Sequence, residues 1–408
     1  MQNQIFETAL GLATPWFVQD VEFDVERKTL GIRINVVPGS RFAYPGVDGT
    51  HPVHDTQSKR YRHLNFFQHE CYLEVRVPRL RLPDGRVLLL EPEWAGRLSG
   101  FTVLFEALIL TLARQMPFAA VARLVGESWH RVQAMCATSV NLAVEAADLS
   151  DVEAVAIDEA SCQRGHAYLT LVADATHRKV LFVTEGRAAT TVELLAQHMA
   201  AHGGDPNQVT SASIDMSPAF IKGVTEALPQ ARMTFDKFHV MAHASTAVDK
   251  MRRTEQVTDP ALKGLRWTLL KDPGKLSASQ RADLAALQAH LTTTRTARAW
   301  LYREHLREIL ARKQVHVVSA MLRQWCTHVL RSKVEPMKTV ARMVRQHFEG
   351  IVAWAHTRQT NGFLEALNGL FQAAKRKARG YTHFTTMRTV IFLIAGKLDF
   401  QRLNPHAR

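Results

Sequence analysis

Hydrophobic and polar positions change their rhythm several times along the chain. Residues 18–37 alternate as V-E-F-D-V and then L-G-I-R-I-N-V-V, the period of two expected for a hairpin-like pair of half-exposed strands. Gly39 to Asp55 is rich in turn formers, with G-V-D-G and two prolines. Cys71 to Arg81 alternates again, and P-D-G at Pro83 to Gly85 makes the next turn. Residues 1–90 therefore read as a small β-rich module. From Pro92 to about Leu149 the apolar residues recur every three to four positions, as on helix faces.

Residues 152–235 carry short apolar runs that end at turns: V-E-A-V-A-I-D, A-Y-L-T-L-V-A-D, K-V-L-F-V-T-E-G, V-T-S-A-S-I-D and A-R-M-T-F-D. The first three follow one another as in an antiparallel meander. Helix patterns at Thr190 to His202 and Pro218 to Leu228 flank the fourth. That order predicts an α/β layer with a mixed sheet. Residues 237–360 show almost only helical periodicity with Arg and Lys on the polar face. A last helical block, Gly362 to Phe371, runs into Lys375, Arg376, Lys377 and Arg379 before Gly380 stops it. The expected divisions are 1–90, 91–150, 151–240, 241–356 and 357–408.

A length of 408 residues suggests two to four domains. With 46% hydrophobic and 22% charged residues the chain is not wholly disordered. The net charge of +13 is unevenly placed. Residues 1–235 hold 21 basic and 26 acidic side chains, and residues 236–408 hold 30 and 12. A polycationic half points to a polyanionic partner, nucleic acid or an anionic membrane. Membrane is disfavoured, because the most apolar stretch, Phe101 to Leu112, contains Glu106 and falls short of the ~20 residues a span needs. Met1 to Trp16 lacks a basic segment and carries Glu7, so no signal peptide is expected. Cys71, Cys136, Cys162 and Cys326 are widely separated, as in a reducing compartment. The expected location is the cytoplasm.

Phe118 to Cys136 fits a helix-turn-helix. Ala122 is small where two helices cross, Gly126 supplies the turn, Ser128 can cap the second helix and Val132 packs inward. Trp129, His130, Arg131 and Gln133 then lie at the start of a recognition helix. A plain helical hairpin with a glycine turn shares these features.

Asp158 closes the run V-A-V-A-I-D and Asp215 closes S-A-S-I-D. Two carboxylates closing buried strands can share a site, and their repulsion makes a divalent cation the natural third party. Glu365 sits in a helix with an otherwise apolar face, bracketed by Asn361 and Asn368 about two turns apart. Two Asp and one Glu can hold two Mg²⁺ (or Mn²⁺) ions about 3.5–4 Å apart for in-line phosphoryl displacement. Taken singly, each acid is better read as a strand-end cap or a solvated turn; their joint occurrence on the right elements in the right order favours the shared site.

The segments A-I-D-E-A-S, S-I-D-M-S-P-A-F, F-D-K-F-H-V and T-N-G-F-L-E-A-L-N-G-L-F-Q-A-A-K-R-K-A-R-G-Y together resemble a DDE transposase of the ISL-three insertion-sequence family. The resemblance covers nearly the whole chain. It implies an α/β RNase H-like catalytic core interrupted by an all-α insertion, preceded by a small β-rich module and a helix-turn-helix. It implies Asp158, Asp215 and Glu365 as the metal-binding catalytic triad, with Asp236 and His239 in support. Asp236 is equally well placed to cap the helix that begins at Lys237. The family commonly carries a zinc-ribbon-like module before a W/Y-R-H-L segment, here Tyr61 to Leu64. The paired cysteines are absent from this chain. His51, His54, His63, His69 and Cys71 form no recognisable ligand pairing, so a metal-free module is expected rather than a structural Zn²⁺ site.

The expected activity is a transposase that binds double-stranded DNA at the terminal inverted repeats of its element, cleaves, and joins the ends to target DNA. Such a reaction implies a homodimer or higher assembly in the synaptic complex, no membrane, and a bacterial, nucleoid-associated setting. Lys375, Arg376, Lys377 and Arg379 would contact the DNA backbone. The alternatives are another RNase H-like nuclease or resolvase, and a non-catalytic helix-turn-helix regulator. Trp267, Trp300, Trp325 and Trp354 read as core anchors, and Glu159 and Asp174 as turn or strand-end acids.

Overall fold

The alternation of the first 90 residues is realised as a six-stranded sheet. A computed structural model describes residues 2–98, 100–163, 167–289, 294–357 and 362–400. Helix α1 (Gln2–Leu10) precedes β1 (Trp16–Asp24), β2 (Thr29–Val36), β3 (Arg41–Tyr44), β4 (Val47–Phe66), β5 (His69–Arg81) and β6 (Val87–Leu89). The sheet order is β1-β2-β5-β4-β3, with β6 on β5, and only β2 and β5 pair in parallel. Alternate residues Leu30, Ile32, Ile34, Leu73, Val75 and Val77 are buried on one face. Gly39 to Asp55, expected as turns, is mostly the β3–β4 hairpin. The hairpin turn itself falls at Pro45 and Gly46, where φ is +76°, and Gly39 and Gly49 also take positive φ. Pairing with β5 along the rest of its length holds the polar β4 extended.

The expected helical stretch begins later than Pro92. Residues 92–98 and 100–102 carry no helix, and Thr102 caps α2 (Val103–Ala113). The loop amides of Arg97 and Leu98 donate to the buried Glu106 carboxylate at 3.0 and 2.8 Å, which accounts for an acid inside the most apolar run. Then come α3 (Phe118–Val125) and α4 (Trp129–Glu145). Gly126 closes α3 at φ +75° and Ser128 accepts from the Arg131 amide at 3.3 Å to cap α4. Arg62, 2% exposed, ties the β-sheet to this motif. Its guanidinium donates to the carbonyls of His63, Cys71 and Val125 and to Asn65 Oδ1.

A second sheet follows. Strands β7 (Ala154–Gln163), β8 (Ala167–Asp174) and β9 (Lys179–Glu185) form the antiparallel meander, then α5 (Thr190–Ala201), β10 (Ser211–Ile214), α6 (Pro218–Ala227) and β11 (Arg232–Phe235) alternate. The order is β11-β10-β7-β8-β9, with β10 parallel to both β7 and β11. Gly223 lets α6 approach the start of α5, since a Cβ there would stand 2.7 Å from the Ala189 carbonyl oxygen.

Among the described residues, every element from Lys237 to Thr357 is helical: α7 (Lys237–Glu255), α8 (Arg266–Leu270), α9 (Ala278–Ala289), α10 (Arg295–Ala311), α11 (Val315–Arg331), α12 (Glu335–Gln346) and α13 (Phe348–Thr357), with short 3₁₀ turns between. One hydrophobic core runs from Ile157, Val172 and Ile214 of the sheet to Val240, Trp300 and Leu322 of these helices. Trp300, Trp325 and Trp354 are buried as expected, but Trp267 is 59% exposed. Its helix is five residues long and buries Thr268 and Leu269 instead.

The chain closes with α14 (Gly362–Lys377) and α15 (Phe384–Ala395). It divides into two units, residues 1–147 with 370–408, and residues 148–369. The division falls inside α14, so Glu365 groups with the second sheet and the Lys375–Arg379 cluster with the helix-turn-helix. The sequence had placed both in one segment, 357–408. The cause is α15, which packs on α4 and draws the end of the chain with it: Gln133 Nε2 donates to Thr386 Oγ1 at 3.3 Å, and Arg388 to Asn141 Oδ1 at 2.6 Å.

Candidate catalytic carboxylates and DNA-reading helix

Parallel pairing sets three aspartates side by side. The register pairs Ser213 with Ala156 and Ile214 with Phe235. Continuing it brings Asp215 level with Asp158 on one side and with Asp236 on the other. Asp158 does not end its strand, as the sequence suggested. Pairing with β8 carries β7 on to Gln163, and what stops near Asp158 is the neighbouring β10.

Asp158 is 7% exposed. Its Oδ1 accepts from the Glu159 amide at 2.8 Å and its Oδ2 from Asn368 Nδ2 at 3.0 Å. Burial pushes its carboxyl up to about 6; the Glu159 amide and His239 pull the other way, and the charges of Asp215 and Glu365 add to the rise. Asp215 is half-buried and its Oδ1 accepts from the Ser217 amide at 2.9 Å, shaping the turn into α6. Asp236 is fully buried and caps α7 through the Phe238 amide at 2.9 Å. One turn on, His239 keeps a buried Nε2 with no hydrogen-bond partner among the described residues. Glu365 lies exposed in the first turn of α14. Asp215, Glu365 and His239 thus each lie close enough to Asp158 for their charges to act on it. Among the described residues no three His, Cys, Asp or Glu side chains already stand together in ligating geometry. Asn361 lies outside the described residues. Glu159 faces Arg187 at 3.5 Å, and Asp174 binds its own turn through Thr176 and His177.

On α4 the four expected contact residues separate into two pairs. Trp129 is 46% exposed with its ring 3.9 Å from that of His130, also exposed. Arg131 instead pairs with Glu127 at 2.8 Å and lies over the Phe101 ring, and Gln133 is held by Thr386. Arg376, Lys377 and Arg379 are exposed, and Lys375 is half-buried.

In the first module, burial pushes the Cys71 thiol up to about 11, and burial with the adjacent Arg62 holds His63 down to about 4 while its Nδ1 meets Thr102 Oγ1 at 2.9 Å. Sequence reasoning left two residues without a role that the structure supplies: Asn368 against Asp158, and Arg62 beneath the helix-turn-helix. Neither has a local signal beyond its motif.

A helix-turn-helix in one unit and a carboxylate-bearing mixed sheet in the other define a DNA-acting enzyme of the DDE transposase class. A family profile of ISL3-type DDE transposases, described as "Transposase", matches residues 155–391, more than half of the chain. A second, "Helix-turn-helix domain of transposase family ISL3", matches residues 91–140. The chain belongs to the ISL3 family of transposases, enzymes of DNA cleavage and strand transfer. It is 26% identical over 348 residues to the transposase for insertion sequence element IS1001 of Bordetella parapertussis, covering 81% of this chain and 82% of that one. It is 26% identical over 417 residues to the transposase for insertion sequence element IS1557 of Mycobacterium tuberculosis, covering 93% of each. A DDE transposase domain implies dependence on a divalent metal in general, and the helix-turn-helix domain implies DNA binding. No helix among the described residues is long and apolar enough to cross a membrane.

Proposed function

We propose that Asp158, Asp215 and Glu365 are the catalytic carboxylates of an RNase H-like core, and that the helices of residues 241–356 are an insertion within it. The support for this is that the β10–β7 register, continued two residues past the Ser213–Ala156 pair, brings Asp215 level with Asp158, and that Glu365 of α14 is close enough for its charge to act on Asp158. The sheet order, three antiparallel strands followed by two parallel ones, supports the fold assignment. The donor set fits Mg²⁺ or Mn²⁺: three carboxylates are hard oxygen ligands, and a dication would relieve the mutual repulsion felt at buried Asp158. When bound, two such ions supply Lewis-acid activation of the attacking oxygen and neutralisation of charge at phosphorus.

The protein's own groups would do the positioning. Asp158 and Asp215 each accept a hydrogen bond from a backbone amide, of Glu159 and Ser217, which orients one oxygen of each carboxylate. Asp236 and His239 would support the site from α7. Trp129 and His130 would read the terminal inverted repeats, with Arg131 and Gln133 setting the pitch of α4, and Lys375, Arg376, Lys377 and Arg379 would hold phosphates. Cutting two ends together calls for at least a homodimer on DNA in a bacterial cytoplasm. The N-terminal module would fold without zinc, its buried thiol and hydrogen-bonded His63 being poor ligands.

Purified protein with Mg²⁺ and a supercoiled plasmid bearing the element ends should nick or excise and join strands. Asp158→Ala, Asp215→Ala and Glu365→Ala should bind those ends and lose cleavage by ~10³-fold or more. Full activity in Glu365→Ala would overturn the triad.

A further inference from the structure

We propose that Asn368 is a positioning residue for the metal site: it clips the Glu365 helix to the Asp158 strand and fixes both carboxylates. The inference rests on the triad reading above. With Asp158 ionised, as a metal ligand must be, the two groups facing the Asn368 amide, Asp158 Oδ2 at 3.0 Å and the Glu159 carbonyl at 3.3 Å, can only accept. The amide therefore turns its nitrogen to both, and one side chain engages a carboxylate and the backbone of the next residue in the same strand. Asn368 stands three residues after Glu365 in α14, so the two share a face one turn apart. Anchoring Asn368 to residues 158 and 159 thus sets the rotation of α14 about its axis and the side on which Glu365 emerges.

The remaining atom supports a functional rather than a packing role. Asn368 Oδ1 is buried without a partner among the described residues, and an orphaned buried acceptor is destabilising. A leucine of similar volume would join the two elements without that penalty. What leucine cannot do is donate to a carboxylate. Partners behind metal ligands orient them, and their loss lowers metal affinity about 10–100-fold.

The test uses the full chain and Mn²⁺ as the probe. Binding is read from the electron paramagnetic resonance of free Mn²⁺, beside end binding in EDTA, thermal melting, and cleavage as a function of Mg²⁺. Asn368→Leu should weaken Mn²⁺ by about tenfold or more, raise the Mg²⁺ needed for half-maximal cleavage, and leave end binding unchanged. Asn368→Gln, which keeps the donor on a longer arm, should recover part of the loss. If Asn368→Leu does not fold, Asn368→Ser, whose hydroxyl falls short of Asp158, is held to the same criteria. A folded Leu or Ser variant with wild-type Mn²⁺ affinity overturns the proposal. Asp158→Asn and Glu365→Gln separate it from its premise: if they still cleave, the triad reading fails. If they are inactive while the position-368 variants behave as wild type, only the clip fails.

Discussion

Replacing Asp158 by Asn should make the metal-free protein more stable while removing its cleavage activity. Moving a carboxyl from its ordinary 3.8 to about 6 corresponds to about 3 kcal/mol of disfavoured ionisation, at 1.36 kcal/mol per tenfold change in proton affinity. The folded-state value lies above the unfolded one, so the folded protein binds this proton more tightly. The stability conferred by the proton is complete below about pH 4 and is lost as pH rises through about 6. Asn is neutral throughout and has the same shape. It has only one accepting oxygen for the two hydrogen bonds from Glu159 and Asn368, a loss of about 1 kcal/mol. The net gain near pH 8 is then about 1–2 kcal/mol, or roughly 2–8 °C in a unit of this size. Near pH 4 the carboxyl is largely neutral in the folded state and half protonated in the unfolded one, so the advantage vanishes or reverses. Calorimetric melting of both proteins in EDTA at the two pH values checks this. A variant that melts lower than wild type by the same amount at both would refute the claim that burial of a charge governs Asp158.

Two further outcomes concern the helix-turn-helix. Gly126→Val should destabilise the first unit by about 2 kcal/mol or more, because a β-branched residue resists φ +75° and its Cβ would collide with the Glu70 carboxylate. Gly126→Asn should be milder, and a Val variant that melts like wild type would contradict the turn geometry. Trp129→Ala should weaken binding to element ends by about tenfold with little change in melting, since the indole is half exposed. Unaltered affinity in a gel-shift titration would move the reading surface away from the start of α4.

What the sequence made legible was local. Gly126 and Ser128 mark a turn because only a permissive backbone and a side-chain acceptor solve the two helix ends there, and both do so in the structure. The strands of the second sheet were legible because buried strands need uninterrupted apolar runs. The β3–β4 hairpin was not, since glycine and proline announce a turn without saying how far the flanking strands extend. Long-range polar contacts were not legible either. Asn368 meets Asp158 across 210 positions, and Gln133 meets Thr386 across 253. Nothing in a side chain's own neighbourhood signals which distant group will satisfy it. For the same reason Gln133 and Arg131 looked as free to read DNA as Trp129, and only the packing of α15 and of Phe101 sets them apart.

The row of aspartates raises a question that register alone cannot answer: why Asp158 and Asp215, and not Asp236, should be the pair that holds cations. All three are level at the carboxyl side of parallel-paired strands, where ligands of α/β sheets collect. Their surroundings differ. Asp236 has no exposed surface and its Oδ1 binds the Phe238 amide at the N-terminus of a 19-residue helix, where the dipole favours its negative charge. It is already compensated, and withdrawing it would uncap α7. Asp215 shapes a shorter turn and keeps access to solvent. Asp158 feels the charges of its neighbours as a penalty that its one amide and Asn368 only partly offset. A cation gains most where negative charge is least compensated, which favours the proposed pair Asp158 and Asp215 over Asp236. Asp236 is left to hold in place the helix that carries His239.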